Sequence, residues 1–373
     1  MVADVPALSV HFAQRAAAKL GLAPCMPVDD DIRLLCSYDW PGMGVSYFDF
    51  VLRIAVTVLL PWSIATPLIL CALAGCLAER SGVVDLGLEG KMLLSAFAAA
   101  SVAAATGSWV PAMMVALVLG VSMSMVQGWG CVSHRGDQVV MGMALTMTAA
   151  GLTVVLGAAW FGLGGQTPQI AESARLTGWF TSAAQAVQGV PVVGPVLGLG
   201  LLGHNGLVYL ALLCVVLVWA LLFHTRLGLR LRAVGENPLM VDAAGVSVQG
   251  LRYRALALNG LLSGLAGSYL VLALNANFIP HMTAGRGYMA LAALIFGKWN
   301  PVGAMAACLL FGFLDALAIR LQGAPWPEAL GGGTVPVQAI QALPYLLTVV
   351  LLAGFIGRAR APAALGVPYL KER

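Results

Sequence analysis

The residues best suited to chemistry in this sequence stand in polar breaks between long apolar runs. The first break, Glu79–Lys91, gathers Glu79, Arg80, Asp85, Glu89 and Lys91 around Gly82, Gly87 and Gly90. A charge at the centre of a bilayer costs roughly 3 kcal/mol or more, so such residues line water, pair with one another or sit at the interface. An unwound, glycine-rich stretch also offers backbone N–H and C=O groups to a polar solute. On that reading Asp85, Gly87 and Glu89 contact solute along a pathway. The competing reading is an interfacial loop in which Glu79/Arg80 and Glu89/Lys91 are exposed pairs.

The second break runs from Gly228 to Gly245. Its basic entry, with Arg230 and Arg232, precedes Asn237-Pro238, which breaks or starts a helix. Leu239–Ala244 then makes a short amphipathic turn that Gly245 can terminate. Arg232, Gly235, Glu236, Asn237, Pro238, Asp242, Ala244 and Gly245 thus form a candidate docking knob for a soluble partner. A plain positively charged loop is the alternative, and the residues alone favour it.

The third group surrounds a short apolar run, Tyr288–Phe296, bounded by Gly285, Gly287 and Gly297. Before it lies a polar stretch with Asn275, Asn277 and Phe278; after it comes Gly297-Lys298-Trp299-Asn300-Pro301, with Asp315 inside the next apolar run. Lys298 can meet solute, pair with an acid or snorkel to the interface. Asp315, alone in an apolar helix, needs a partner. Phe278, Phe296 and Trp299 offer flat faces to a planar solute, although aromatics at such places commonly pack helices.

Catalysis finds no constellation. The five histidines are isolated, G-x-S-x-G and H-E-x-x-H are absent, and Gly87–Lys91 departs from phosphate-loop spacing. The seven cysteines are scattered without a C-x-x-C pair, which favours neither a disulfide framework nor a metal site.

The elements that must position these breaks are transmembrane helices. Of 373 residues, 60% are hydrophobic and only 10% charged, with a mean hydropathy of +0.89. A soluble domain carries about 25% charged residues. Runs suited to crossing a bilayer are Val51–Ala78, Met92–Ala105, Ala112–Val132, Val139–Phe161, Leu207–Phe223, Ala255–Leu274, Val302–Ile319 and Val337–Ile356. The net charge of +4 is small and dispersed, which argues against nucleic acid as a partner. Its placement sets topology: the arginine-rich loop 225–254 and the tail 358–373 read as cytoplasmic, and Gly164–Asn205 as outer. Parity then assigns Tyr288–Phe296 to a broken crossing. The expectation is an all-α polytopic transmembrane bundle with about nine crossings, broken helices and two related halves. It comprises an extracytoplasmic N-terminal extension (1–50), a permease domain (51–357) and a cytoplasmic tail. Residues 1–50 lack the pattern of a signal peptide.

Four ordered segments carry a resemblance. Glu79–Gly90, ERSGVVDLGLEG, is similar to the "ERSGVVNIGLEG" segment of bacterial ABC-importer permeases of the simple-sugar, nucleoside and branched-chain amino acid group. Arg232–Pro238 with Asp242–Gly245 resembles that group's cytoplasmic coupling loop. Gly297–Gly303 resembles its "GRWNPxG" stretch, and Arg360–Gly366 with Pro368-Tyr369 looks like the C-terminus of the nucleoside-type branch. The resemblance spans roughly Leu60 to the end. It implies an inner-membrane permease importing a nucleoside or nucleobase, with a simple sugar or branched-chain amino acid as alternatives. It also implies no cofactor in this chain, ATP being bound by a cytoplasmic ATPase subunit. A second permease subunit, an extracytoplasmic solute-binding protein and the lipid bilayer are the other implied partners. Asp85 departs from the group's usual Asn. An ion-coupled secondary transporter using Asp85, Glu89 or Asp315 is the reading from another class.

Overall fold

A backbone in lipid must satisfy its own N–H and C=O groups, and apolar runs of about 20 residues do so as helices. The computed structural model describes residues 61–176, 203–321 and 360–370, together with positions 342 and 346. Every regular element among them is helical. The expected extension 1–50, most of the run Val337–Ile356 and residues 177–202 of the loop Gly164–Asn205 lie outside the described residues.

In chain order the helices are α1 (Trp62–Arg80), α2 (Leu88–Thr106), α3 (Trp109–Gly128, extended by a π turn to Ser133) and α4 (Gln138–Phe161). They continue with α5 (Gly206–His224), α6 (Arg226–Glu236), α7 (Pro238–Ala243) and α8 (Val248–Tyr269, extended by a π turn to Leu274). The last two are α9 (Arg286–Phe296) and α10 (Pro301–Leu321). Seven of these are long and apolar enough to cross a membrane among the described residues, and α9 is a shorter apolar helix.

Burial sorts them into two shells. Most residues of α1, α2 and α8 are buried, whereas α3, α4 and α10 present Val118, Met147, Val155, Val302 and Ile319 outward. Outward apolar side chains are what lipid requires, so the polar groups turn inward. The inner helices approach at backbone distance. A Cβ on Gly120 of α3 would collide with the Gly260 carbonyl of α8. Small residues permit this contact, which substitutes dispersion for the hydrophobic effect that lipid cannot supply.

Two helices start earlier than their apolar runs suggest. α2 begins at Leu88 rather than Met92, and α8 at Val248 rather than Ala255, so Glu89, Lys91 and Arg252 lie inside helices. The charges do not end these helices because each is buried against a partner.

The chain between α8 and α10 is the segment expected to make a broken crossing, and its described part holds one shorter apolar helix, α9. Ala276 and Phe278 accept backbone bonds from Ile170 and Thr167 of the loop after α4, at one end of the bundle. Gly285 and Gly287 then reach Glu89 inside it. α9 runs on to Trp299, whose carbonyl accepts from Arg80 at the C-terminus of α1 (3.0 Å). A turn-rich stretch and an 11-residue helix together return the chain to the α6/α7 end.

Candidate functional site

The first break is an enclosed polar network. Asp85 follows the end of α1 and accepts from the Gly87 amide at 3.1 Å through Oδ1, a local turn that restarts the chain as α2. Its Oδ2 accepts from Lys91 Nζ at 2.7 Å and Asn259 Nδ2 at 2.6 Å. Lys91 also donates to Asn259 Oδ1 at 2.8 Å, where Ser124 of α3 donates at 3.0 Å. Asp85, Lys91 and Asn259 are each 0% exposed. Gln138 and Gln127 hold the Val84 backbone on either side of its peptide. A buried charge pair survives only when its remaining valences are satisfied, and here α2, α3 and α8 converge to satisfy them. Asp85, expected beside solute, is enclosed here and paired with Lys91.

Glu89 joins the first break to the third group. Its carboxylate accepts from the Gly285 and Gly287 amides, at 2.8 and 2.6 Å, in the first turn of α9. A carboxylate at a helix N-terminus meets unsatisfied N–H groups and a favourable dipole. Gly287 admits this approach, since a Cβ there would lie 2.6 Å from the Glu89 nitrogen. The exposed pairs Glu79/Arg80 and Glu89/Lys91 do not form. Glu79 instead accepts from the Trp299 indole, and Arg80 donates to the Trp299 carbonyl.

The remaining expected pathway residues belong to the third group, around the short run Tyr288–Phe296. Asn275 is exposed and donates through Nδ2 to the Leu270 carbonyl at 3.1 Å, closing the π turn of α8. Asn277 is half-buried beside it. Phe278 is fully buried and meets Phe97 edge-on at 5.2 Å. Trp299 is buried and pinned by Glu79, and Phe296 packs on Phe311. Phe278 and Trp299 are buried in helix packing, the alternative weighed for them, whereas Phe296 is half-buried. Lys298 and Trp299 share the left-handed backbone region, each with φ of 54°, where side chains are strained. Lys298 is exposed at that turn. Asn300 accepts from the Val302 amide at 3.1 Å and starts α10. Asp315 is half-buried on α10 and lies within electrostatic range of Arg286 at the start of α9.

The α6/α7 segment adopts the predicted local structure. Asn237 caps α7 by accepting from the Met240 amide at 3.2 Å, Pro238 takes the first helical position, and Gly245 follows with φ of 75°. α7 projects Leu239 and Met240, 47% and 69% exposed. Glu236, Asn237, Ala244 and Gly245 are exposed, Pro238 and Asp242 half-buried. Arg232 turns back over the Phe223 ring at 4.9 Å. Gly235 is buried against α1, where a Cβ would collide with the Arg80 carbonyl. The knob thus presses directly on the helix that leads into the first break.

Sequence reasoning missed Lys91 as partner of Asp85, Asn259 as the bridge, and Arg286 as the cation facing Asp315. Arg286 carried a readable signal: a lone arginine between two glycines at the mouth of a short apolar run. Asn259 carried none, because one asparagine in an apolar helix is common and its partners lie far away in sequence.

The comparisons with known proteins agree with this architecture. A family model described as "Branched-chain amino acid transport system / permease component" matches residues 61–356. The guanosine ABC transporter permease protein NupQ of Bacillus subtilis is 35% identical over 319 residues, 83% of this chain and 94% of the relative. The nucleoside ABC transporter permease protein NupC of Lactococcus lactis is 36% identical over 330 residues, 86% and 98% of the two chains. The ribose import permease protein RbsC of Escherichia coli is more distant, at 29% over 241 residues, 62% of this chain and 68% of that one. No solved structure matches significantly. With its helices apolar enough to span a membrane and its inner helices broken around buried charges, the chain belongs to this permease family of ABC transporters, and is a multi-pass membrane transport protein rather than an enzyme.

Proposed function

We propose that this chain is the translocating subunit of an inner-membrane ATP-driven importer for nucleosides or nucleobases. The observation that carries the substrate class is the near full-length similarity to permeases named for guanosine and nucleoside transport. A simple sugar is the second reading, supported by the shorter match to a ribose permease. ATP is bound by a cytoplasmic subunit that docks on Glu236–Gly245, where Leu239 and Met240 stand free as apolar anchors. A second permease copy or homologue and an extracytoplasmic binding protein complete the assembly.

Solute passes beside the broken crossing. Asn275, Asn277, Lys298, Asn300 and Asp315, with Arg286, supply the accessible polar groups along it. Phe278, Asp85, Gly87 and Glu89 fix the backbone that lines the path. Broken helices at matching depth are the usual frame of a transporter's solute site.

The test is uptake by the chain with its ATPase and binding protein in proteoliposomes. Labelled guanosine, uridine, adenine, ribose and leucine are offered in turn. ATP-dependent accumulation of a nucleoside or base is expected. Accumulation of ribose or leucine alone overturns the substrate class. Uptake driven by an ion gradient, with no ATPase present, overturns the mechanism.

A further inference from the structure

The C-terminal segment 360–370 lies across the α6/α7 end and is bonded to three elements at once. The Ala364 amide donates to the Gly235 carbonyl of α6 at 2.8 Å, and the Ala363 amide to Glu236 Oε2 at 3.3 Å. Two residues on, the Gly366 amide donates to the Gly82 carbonyl of the first break at 3.2 Å. Arg252 of α8 donates through Nη1 and Nη2 to the Val367 carbonyl, both at 3.3 Å. It also donates through Nε to the carbonyl of Ser81, the residue that ends α1, at 3.3 Å.

Arg252 is 1% exposed, and these carbonyls take up its charge. A buried arginine fits here because its planar fork can hold two backbone segments together, and a cation favours the C-terminus of α1. The seat is closely fitted. Gly82 has φ of 83°, and a Cβ there would meet Arg252 Nη2 at 3.0 Å and the Ala364 carbonyl at 3.1 Å. Ala364 is buried, Leu365 packs on the main core, and Tyr369 packs on the core beneath α6 and α7.

We infer that residues 362–367, clamped by Arg252, form a strap that transmits displacement of the coupling helices to the first break. The inference rests on the proposed ATP-driven function. When α6 moves, Gly235 and Glu236 carry Ala363 and Ala364 with them, and the strap moves Gly82. Asp85 lies three residues beyond, in the network that joins α2, α3 and α8. Through these bonds α6, the first break and α8 respond as one unit. Arg252 acts here as a positioning residue and does not meet solute.

The experiment uses the full transporter with its ATPase and binding protein, and reads solute moved per ATP hydrolysed. Two variants are compared with the unaltered chain: R252K, which keeps the charge but loses the fork, and truncation after Gly357. The expected result for both is a normal amount of ATPase in the purified complex, continued hydrolysis, and solute per ATP lowered about ten-fold. An unchanged ratio in assembled R252K overturns the strap. Loss of the ATPase from the truncated complex, with a normal ratio in R252K, also overturns it, because the tail would then be a docking element. Failure of the underlying function looks different: the unaltered complex would show no ATP-dependent uptake at all.

Discussion

Replacing Asp85 by Asn tests the buried network most sharply, because the change keeps shape and removes only charge. In the native chain Lys91 Nζ lies 2.7 Å from Asp85 Oδ2, with both side chains 0% exposed. The D85N amide retains an oxygen for the Gly87 amide, yet it leaves an ammonium buried with Asn259 as its neutral partner. Removing one member of a buried pair costs about 3–5 kcal/mol, most of it the uncompensated charge. K91M leaves Asp85 with donors from Gly87 and Asn259, so its cost falls at the lower end of that range. Removing both charges is different in kind. A neutral amide at position 85 beside a methionine needs no counter-ion, and the D85N/K91M double variant should recover at least about 2 kcal/mol relative to the sum of the singles.

The assay is the thermal midpoint of the purified chain in nanodiscs, followed by loss of monodisperse protein. D85N is expected to fall on the order of 5–10 °C and the double variant to regain most of that. A D85N midpoint within about 1 °C of native would refute the buried-pair energetics. So would a double variant less stable than either single. This matters for function because the same network fixes the break between α1 and α2.

Three other changes separate the remaining roles. E89A removes both bonds to the start of α9 and should destabilise by about 3 kcal/mol or more, whereas E89Q keeps one acceptor and should lose about half as much; equal melting of the two would contradict the latch. G235A places a methyl against the Arg80 carbonyl, so uptake should fall while the ATPase still co-purifies, and undiminished uptake would deny that this contact transmits force. M240D puts a charge on an exposed anchor of α7 and should lower ATPase binding at least about ten-fold without moving the thermal midpoint; unaltered co-purification would place the docking surface elsewhere.

The helical bundle was legible because apolar runs of membrane length admit few other structures. The α7 knob was legible too: Asn237, Pro238 and Gly245 are local signals, and the structure uses each in its expected place. The polar breaks were found, but the work of their charges was only partly readable. Sequence shows Asp85, Glu89 and Lys91 as close neighbours, which suggests local pairs. One local pair forms, Lys91 with Asp85, but other partners come from 168 to 198 positions away, as for Lys91 with Asn259 and Glu89 with Gly287. Such pairing is decided by which helices pack together, and interchangeable apolar residues encode that weakly. For the same reason Arg252 read only as a topological charge.

The distribution of charge among the breaks orders the parts by what each can do during transport. Asp85 and Lys91 are neutralised and sealed, so exposing them is costly and the network resists local opening. Glu89 binds only backbone amides of α9, an 11-residue helix that buries Met289, Ala290, Leu291, Ala293 and Leu294 in the main core. Lys298, Asp315 and Arg286 retain partial access. A change at α6 and α7 reaches these groups first through Gly235 on α1 and the strap on Gly82, and then through the rigid network around Asp85. Of the links in that chain, the Glu89 bonds to α9 involve no buried ion pair, so they should give way before the Asp85–Lys91 contact opens.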